Sequence, residues 1–341
     1  MQLEFEQRCL KAIEEAFHQA QEKYFSKSPM KEMFQYHYSS GGKRLRPLLA
    51  CLAADTYAKV KGKKAEEIFQ KCIPFALAVE LIHNATLIHD DIQDGDSVRR
   101  GLPTLWKKYS LAQAINCGDA WFFAPLLLIH EIPVDSETKL HLLKILQEKT
   151  LAVIEGQSLE FEMKDRFAAG KEISISQYLQ MVEGKTSALF SMPLLGGATI
   201  AGATELEKKA LEQSALHLGH AFQIQDDLLD LWGEKGRGQR GSDIAEGKLS
   251  YPLVLLLSQL GKNSAQREKV MKIVQKSREE TTQEEIDFVI ETMEKEKVRD
   301  RAIRDFHQHI KDAQTSSLWK DVLEYLSNWL TNKVTTFKGL Q

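Results

Sequence analysis

Apolar residues recur every three to four positions through nearly the whole chain, and the alternation that marks a half-buried strand is almost absent. Helices are expected near 3–24, 30–38, 45–60, 65–92, 105–115, 118–131, 136–156, 175–190, 194–202, 205–232, 249–260, 264–277, 282–295, 297–315 and 317–335. The eight prolines mostly sit at junctions, as do Pro47 after "GGKRLR", Pro103 in "RRGLPT" and Pro252 in "GKLSYP". Pro74 and Pro125 are placed near helix starts, where proline is tolerated. No stretch shifts to a linker composition, and no unit repeats at a fixed period. The pattern predicts an all-α fold in which the 341 residues share one large helical bundle.

Composition narrows the class. With 43% hydrophobic and 27% charged residues there is material for both a core and a solvated surface. A net charge of −3 argues against a nucleic-acid partner. Cys9, Cys51, Cys72 and Cys117 are far apart in sequence and form no CxxC pair, which reads as reduced core thiols. The N-terminal "MQLEFEQRCLKAIEEAF" has no apolar signal region. The longest apolar run, "AWFFAPLLLI" at 120–129, is ten residues against the roughly 18 of a spanning helix. A cytoplasmic protein with no integral membrane segment is expected.

Two acidic clusters stand out against this apolar background. "LIHDDIQD" (87–94) and "IQDDLLD" (224–230) carry aspartates at the same spacing, 136 residues apart. On a helix that spacing gathers Asp90, Asp91 and Asp94 into one patch, and Asp226, Asp227 and Asp230 into another. Glu80, His83 and Asn84 extend the first polar stripe, and His220 and Gln223 the second. Like carboxylates repel, and burial costs each several kcal/mol, on the order of 3–5, unless a cation binds. Clusters of carboxylate oxygens suit hard cations, magnesium above all, which shares its shell with phosphate oxygens. The pair therefore implies a magnesium-bridged phosphate ligand.

The sequence also offers cations for such a ligand. "GGKRLRP" (41–47) places Lys43, Arg44 and Arg46 behind two glycines at a helix start. "RRG" (99–101) supplies Arg99 and Arg100, and "GKT" (184–186) supplies Lys185 and Thr186. Neither lysine motif has P-loop spacing. The glycine-rich "GEKGRGQRGSD" (233–243), with Lys235, Arg237 and Arg240, fits either a solvated turn or a lid over an anion.

In their order and spacing these motifs resemble the head-to-tail trans-isoprenyl diphosphate synthases. The resemblance runs through about 35–255: "GGKRLRP", "ELIHNATLIHDDIQDGDSVRRGLPT", "GD" (118–119), "EGQSLE", "EGKTSALF", "FQIQDDLLD" and "SDIAEGKLSYP". It implies one isoprenoid-synthase bundle over 1–341, with a C-terminal helical part from about 256, and a homodimer. Asp90, Asp91, Asp94, Asp226, Asp227 and Asp230 would hold magnesium, three ions with the allylic diphosphate. Arg99, Lys185, Thr186, Gln223 and Lys248 would bind that allylic diphosphate. Lys43, Arg46, His83 and Arg100 would bind isopentenyl diphosphate. His89 is assigned an orienting role beside Asp90, and Gln157 and Glu160 supporting ones. The family's "GKxTLP" reads "GKLSYP" here, with Tyr251 at the leucine position, and the C-terminal "LTNKVTTFKGLQ" receives no site.

Product length depends on the helix before Asp90. Short-chain relatives carry an aromatic residue four or five positions earlier; here those positions are Thr86 and Ala85, with Ile82 and then Val79 beneath. This favours twenty carbons or somewhat more. A counterweight is the "AWFF" segment, where Trp121, Phe122 and Phe123 could close the cavity from the side and give farnesyl diphosphate. A class I terpene cyclase would not need the Lys43, Arg46, His83 and Arg100 set. An HD-type phosphohydrolase, suggested by His89–Asp90, leaves the second acidic cluster unexplained. A non-catalytic subunit would be marked by lost aspartates, and all six are present.

Overall fold

The computed structural model describes residues 2–233 and 240–334. Among them are sixteen α-helices, a five-residue π-turn and one hairpin. The chain divides into two compact units, one of residues 1–150 with 189–212 and the other of 151–188 with 213–341.

The first unit is built on α3 (Leu45–Val60), α4 (Ala65–Gln93) and α6 (Leu111–Glu131). α4 is apolar over most of its length, and Phe75 through Ile82 are all buried. It packs chiefly against α6 and α3, with α1 (Gln2–Phe25) alongside, while α2 (Lys31–Ser39) meets α6 through Phe34 and Trp121. From α9 (Ala188–Ile200), Gly196 and Gly197 allow close contact with this core. A Cβ at Gly196 would lie 1.8 Å from Phe75 Cε1, and one at Gly197 2.1 Å from the Ala50 carbonyl oxygen. Cys9, Cys51, Cys72 and Cys117 are buried and free. A neighbouring thiol and burial raise the pKa of each of Cys9 and Cys51 above the ordinary thiol value.

The second unit contains the end of α7 (Ser136–Ala168), α8 (Ile175–Val182), the π-turn Glu183–Ser187 and most of α10 (Glu205–Trp232). α11 (Ser242–Ala245), α12 (Tyr251–Gln259), α13 (Ala265–Val274), α14 (Gln283–Lys295), α15 (Val298–Ala313) and α16 (Lys320–Val334) complete it. α15 packs on α12 and α14. Ser174 and Thr282 open α8 and α14 with capping boxes, each satisfying two orphan amides.

The periodic pattern gives α3 and α10 the bounds observed, and most other helices agree within three residues. Four expectations need correction. The break expected at 191–193 is absent, since α9 runs through Pro193. Pro74 and Pro125 lie well inside α4 and α6, not at their starts. The break expected at 116–117 is absent; the chain breaks instead at Tyr109–Ser110, where Ser110 caps a single helix from Leu111 onward. α7 runs twelve residues past its expected end at 156, because Gly156 is a packing contact and not a stop. By length and composition, α4 and α6 also reach the threshold for a membrane span. The apolar window of α4 is 72% buried in protein, the pattern of a core helix; that of α6 is 44% buried.

Gly196→Val should force Phe75 aside and destabilise the protein by about 1–3 kcal/mol. Thermal unfolding should show a fall of roughly 2–4 °C per kcal/mol; an unchanged midpoint would contradict the described contact.

Candidate active site

The first acidic cluster closes α4. Asp90 and Asp91 lie in its last turn, and Asp94 is the C-cap, its amide bonded 2.8 Å from the Asp90 carbonyl. That end of a helix carries the negative pole of the dipole, and no basic residue occupies the turn. Asp91 is the buried member, at 2% exposure. Its Oδ1 accepts from Arg99 Nε at 2.5 Å, and its carbonyl accepts from the Trp106 indole at 3.1 Å. Burial nevertheless raises its pKa to about 6, against the pull of Arg99.

Arg99 and Arg100 sit on a hairpin that the helical pattern did not foretell. β1 (Val98–Arg99) pairs with β2 (Leu102–Pro103), and the two residues between them form the turn. Arg100 and Gly101 both have positive φ, 54° and 79°, as a type I′ turn requires. The Arg100 guanidinium lies over Gly42, where a Cβ would come within 3.1 Å of Nη1. The glycine pair of "GGKRLRP" therefore admits a cation to its backbone.

The arginines of that motif divide between two tasks. Arg44 is turned into the core, donating to Glu80 at 2.7 Å and to the Tyr38 carbonyl at 2.6 Å. Arg46 Nη1 lies 3.0 Å from His83 Nε2. Burial lowers the His83 pKa well below its ordinary value, and Arg46, Arg100 and Arg99 reinforce the shift. A neutral His83 that accepts through Nε2 carries its proton on Nδ1, which is buried with no hydrogen-bond partner. Arg46 is itself lowered to about 10 by burial, and so keeps its charge at neutral pH. Arg46, Arg100 and His83 thus form a cationic nest, with Lys43 exposed at its rim.

His89 points away from the aspartates. Its Nε2 lies 3.4 Å from Asp119 Oδ1, and its ring meets Phe122 edge-on at 5.3 Å. A Cβ at Gly118 would fall 2.4 Å from that nitrogen, so the "GD" pair is the seat of the His89 ring. Trp121 packs instead against Phe34, Phe17 and His37, and Phe123 is exposed. Three consecutive helical residues point three ways, so the expected aromatic wall is not a unit. On α4 itself Val79, Ile82, Ala85 and Thr86 are buried, and the Thr86 hydroxyl is satisfied by the His83 carbonyl at 2.7 Å.

In the second unit Asp227 and Asp230 are both buried, Asp227 at 1% exposure. Its Oδ2 accepts from the Tyr178 hydroxyl and the Tyr251 amide, both at 2.6 Å; its Oδ1 accepts from Gln223 at 2.9 Å. Thr186 donates to the carbonyl oxygen of the Gln223 amide at 2.9 Å, extending the chain. Burial and neighbouring Asp243 raise the Asp227 pKa, against Lys248 and these donors. Asp230 accepts from Ser242 at 2.6 Å and from the Asp243 amide at 3.0 Å, fixing the turn after α10. Asp226 is half-buried. Lys248 lies 3.6 Å from Asp243; burial opposes its charge, but Asp243, Asp227, Glu160 and Asp226 outweigh it and raise its pKa. Lys185 pairs with Glu160.

The motif glycines of this unit are contacts between backbones. A Cβ at Gly156 would lie 2.2 Å from the Lys185 amide nitrogen, and one at Gly184 2.9 Å from the Gly156 Cα. The π-turn sits at this contact and aims Lys185 toward Glu160. Tyr178 escaped sequence reading because nothing local marks it; its partner lies 49 residues away. Tyr251, the departure from the family pattern, donates its hydroxyl to Asp305 at 2.8 Å. Of the glycine-rich loop, Arg240 donates to the Leu231 carbonyl at 2.6 Å. Lys235 and Arg237 lie outside the described residues, as does the tail from 335.

Comparison with known proteins gives a common answer. Residues 27–293 match the family model described as polyprenyl synthetase. Geranylgeranyl diphosphate synthase of Sulfolobus acidocaldarius is 36% identical over 69% of this chain and 73% of its own. Geranylfarnesyl diphosphate synthase of Natronomonas pharaonis is 35% identical over 63% of this chain and 64% of its own. Among solved structures, polyprenyl synthase from Caulobacter crescentus, complexed with calcium and isoprenyl diphosphate, superposes with a TM-score of 0.77. It is 27% identical, and the match covers 96% of each chain.

The Asp91 shift has a testable sign. A carboxyl raised from 3.8 to about 6 adds stability that is complete below the lower value and lost as pH rises through the upper. Without divalent cations, Asp91→Asn should therefore gain on wild type in thermal midpoint between about pH 4 and 6.5. Parallel curves would show that Asp91 titrates normally.

Proposed function

The chain belongs to the polyprenyl synthetase family, and on that premise we propose that it is a trans-isoprenyl diphosphate synthase. It condenses isopentenyl diphosphate head-to-tail with an allylic diphosphate to give a product of C20 or longer. The observation that carries this reading is the pairing, in each unit, of an acidic helix end with its own cations. Arg46 and Arg100 accompany the first cluster, with neutral His83 against Arg46, and Lys185 and Lys248 accompany the second.

The donor sets fit magnesium. Each is a carboxylate cluster at the negative end of a helix, and each contains a buried aspartate whose pKa is raised. Magnesium takes one or two carboxylates and completes its shell with water and phosphate oxygens. Asp90, Asp91, Asp94, Asp226, Asp227 and Asp230 would hold the ions, with Asp91 and Asp227 also anchored by their internal donors. Three ions per allylic diphosphate are proposed; bound, they would offset the charge that builds on the departing pyrophosphate.

This chain's residues do the rest. Arg99, Lys185, Lys248 and Thr186, with Gln223, bind the allylic diphosphate and favour its departure. Lys43, Arg46, Arg100 and His83 hold isopentenyl diphosphate, Arg46 and Arg100 through forked guanidinium contacts. Val79, Ile82 and Ala85 present apolar surface along α4, which keeps water from the allylic cation. The double bond of isopentenyl diphosphate attacks that cation, and the proton lost goes to the released pyrophosphate. Small residues at 85 and 86 accommodate a long tail, in line with the named products of the two relatives. The whole of 1–341 is proposed to act as one isoprenoid-synthase domain in the cytoplasm.

The enzyme is also proposed to be a homodimer. Leu111, Ile115, Phe123 and Leu127 recur every four or eight residues on α6, and all are exposed. Such a stripe is suited to ridge-into-groove packing against a second copy. Phe123→Glu with Leu127→Glu should convert dimer to monomer in sedimentation equilibrium; a monomeric wild type would overturn the proposal.

Purified protein given isopentenyl and farnesyl diphosphates should elongate the chain only with magnesium. Asp90→Ala and Asp226→Ala should each lower the rate by about a hundredfold or more while remaining folded. Thr86→Phe should shorten the product. Near-wild-type turnover in either aspartate variant would sink the assignment.

A further inference from the structure

The second unit holds a group of titratable side chains that the condensation does not use. His217 and His220 stand one turn apart on α10, and His309 meets them from α15. Their donor nitrogens all lie within 4.8 Å of one another. No other His, Cys, Asp or Glu group of three or more meets that condition among the described residues. His217 Nδ1 is 3.2 Å from His309 Nδ1, and the His220 and His309 rings are 4.9 Å apart.

This arrangement is poorly explained as packing. His220 is 4% exposed, and neither of its nitrogens has a hydrogen-bond partner of good geometry. Its polar neighbours besides the two histidines are the Leu179 carbonyl and the Glu183 carboxylate, 3.7 Å from Nε2. A buried imidazole with both nitrogens unpaired is costly. Hydrogen bonding can satisfy one pair among three rings and leaves the third. Two of the three resist protonation. Burial lowers the pKa of His220 to about 3 and lowers that of His309, and each is lowered further by neighbouring histidines. His220 and His309 are therefore neutral, the state in which an imidazole binds a metal.

We propose that His217, His220 and His309 hold a transition-metal ion of the zinc class, distinct from magnesium at the aspartates, which fastens α15 to α10. Imidazole suits zinc and its neighbours, whereas magnesium demands oxygen ligands. Zinc–nitrogen bonds of about 2.0–2.1 Å in a tetrahedron put ligand nitrogens about 3.3 Å apart. One observed pair is already at that spacing, and small side-chain rotations bring in the third. Glu183 or a water completes the shell. Gly219 has no side chain to keep α10 off the π-turn that carries Glu183, since a Cβ there would lie 2.1 Å from Ser187 Oγ. α15 also bears Asp305, which holds the Tyr251 hydroxyl, and the Tyr251 amide holds Asp227. The ion would thus brace the element behind the second acidic cluster.

The test is calorimetric titration of zinc into chelator-treated, full-length protein in saturating magnesium, with circular dichroism as a check on folding. One ion per chain should bind. His309→Ala and His217→Ala should each weaken it by about tenfold or more, some 1.4 kcal/mol, and Asp226→Asn should leave it intact. Cobalt in place of zinc should give the visible bands of a low-coordinate nitrogen site. In wild type alone, zinc should protect His217, His220 and His309 from diethyl pyrocarbonate, mapped by peptide mass. Absence of binding, loss in Asp226→Asn but not in the histidine variants, or no protection of these three side chains would overturn the proposal.

Discussion

Everything in this protein's chemistry depends on holding carboxylates where a helix least favours them. α4 ends in aspartates at the negative pole of the helix dipole, α10 carries its own within its last two turns, and neither has a basic residue in the last turn. The most buried member of each cluster is supported from within, Asp91 by Arg99, and Asp227 by Tyr178, Gln223 and the Tyr251 amide. Even so, burial keeps both pKa values high. On the function proposed above, a divalent cation with a diphosphate would meet the remaining charge of the two clusters.

The motif glycines follow from the same need for close, rigid placement. Gly42 admits Arg100, Gly118 seats His89, and Gly156 and Gly184 bring two backbones together beneath Lys185. In none of these cases does glycine serve mainly as a flexible link. Each removes a Cβ so that a charged or polar group can be fixed within a few ångströms of its partner. A signature that reads as loop chemistry is, in large part, packing.

This explains which features could be read from the sequence. The aspartates, the basic motifs and α3 and α10 announce themselves through local spacing, because helical periodicity is a short-range property. Gly118, Gly156 and Pro125 misled for the same reason. Locally they are breakers, and only a neighbour such as His89 or Lys185 makes them tolerable inside a helix. Tyr178, Asp305 and His309 were illegible, since their partners lie 49, 54 and 92 residues away. The Arg100–Gly101 turn was short enough to be hidden among helices, though its glycine was in view.

The most direct test of the central claim is the thermal midpoint of the wild-type protein with magnesium alone, pyrophosphate alone, and both together. If the acidic helix ends are completed by metal and diphosphate jointly, the rise with both should clearly exceed the sum of the separate rises. A full rise with pyrophosphate alone would mean that the basic groups suffice and the aspartates serve some other purpose.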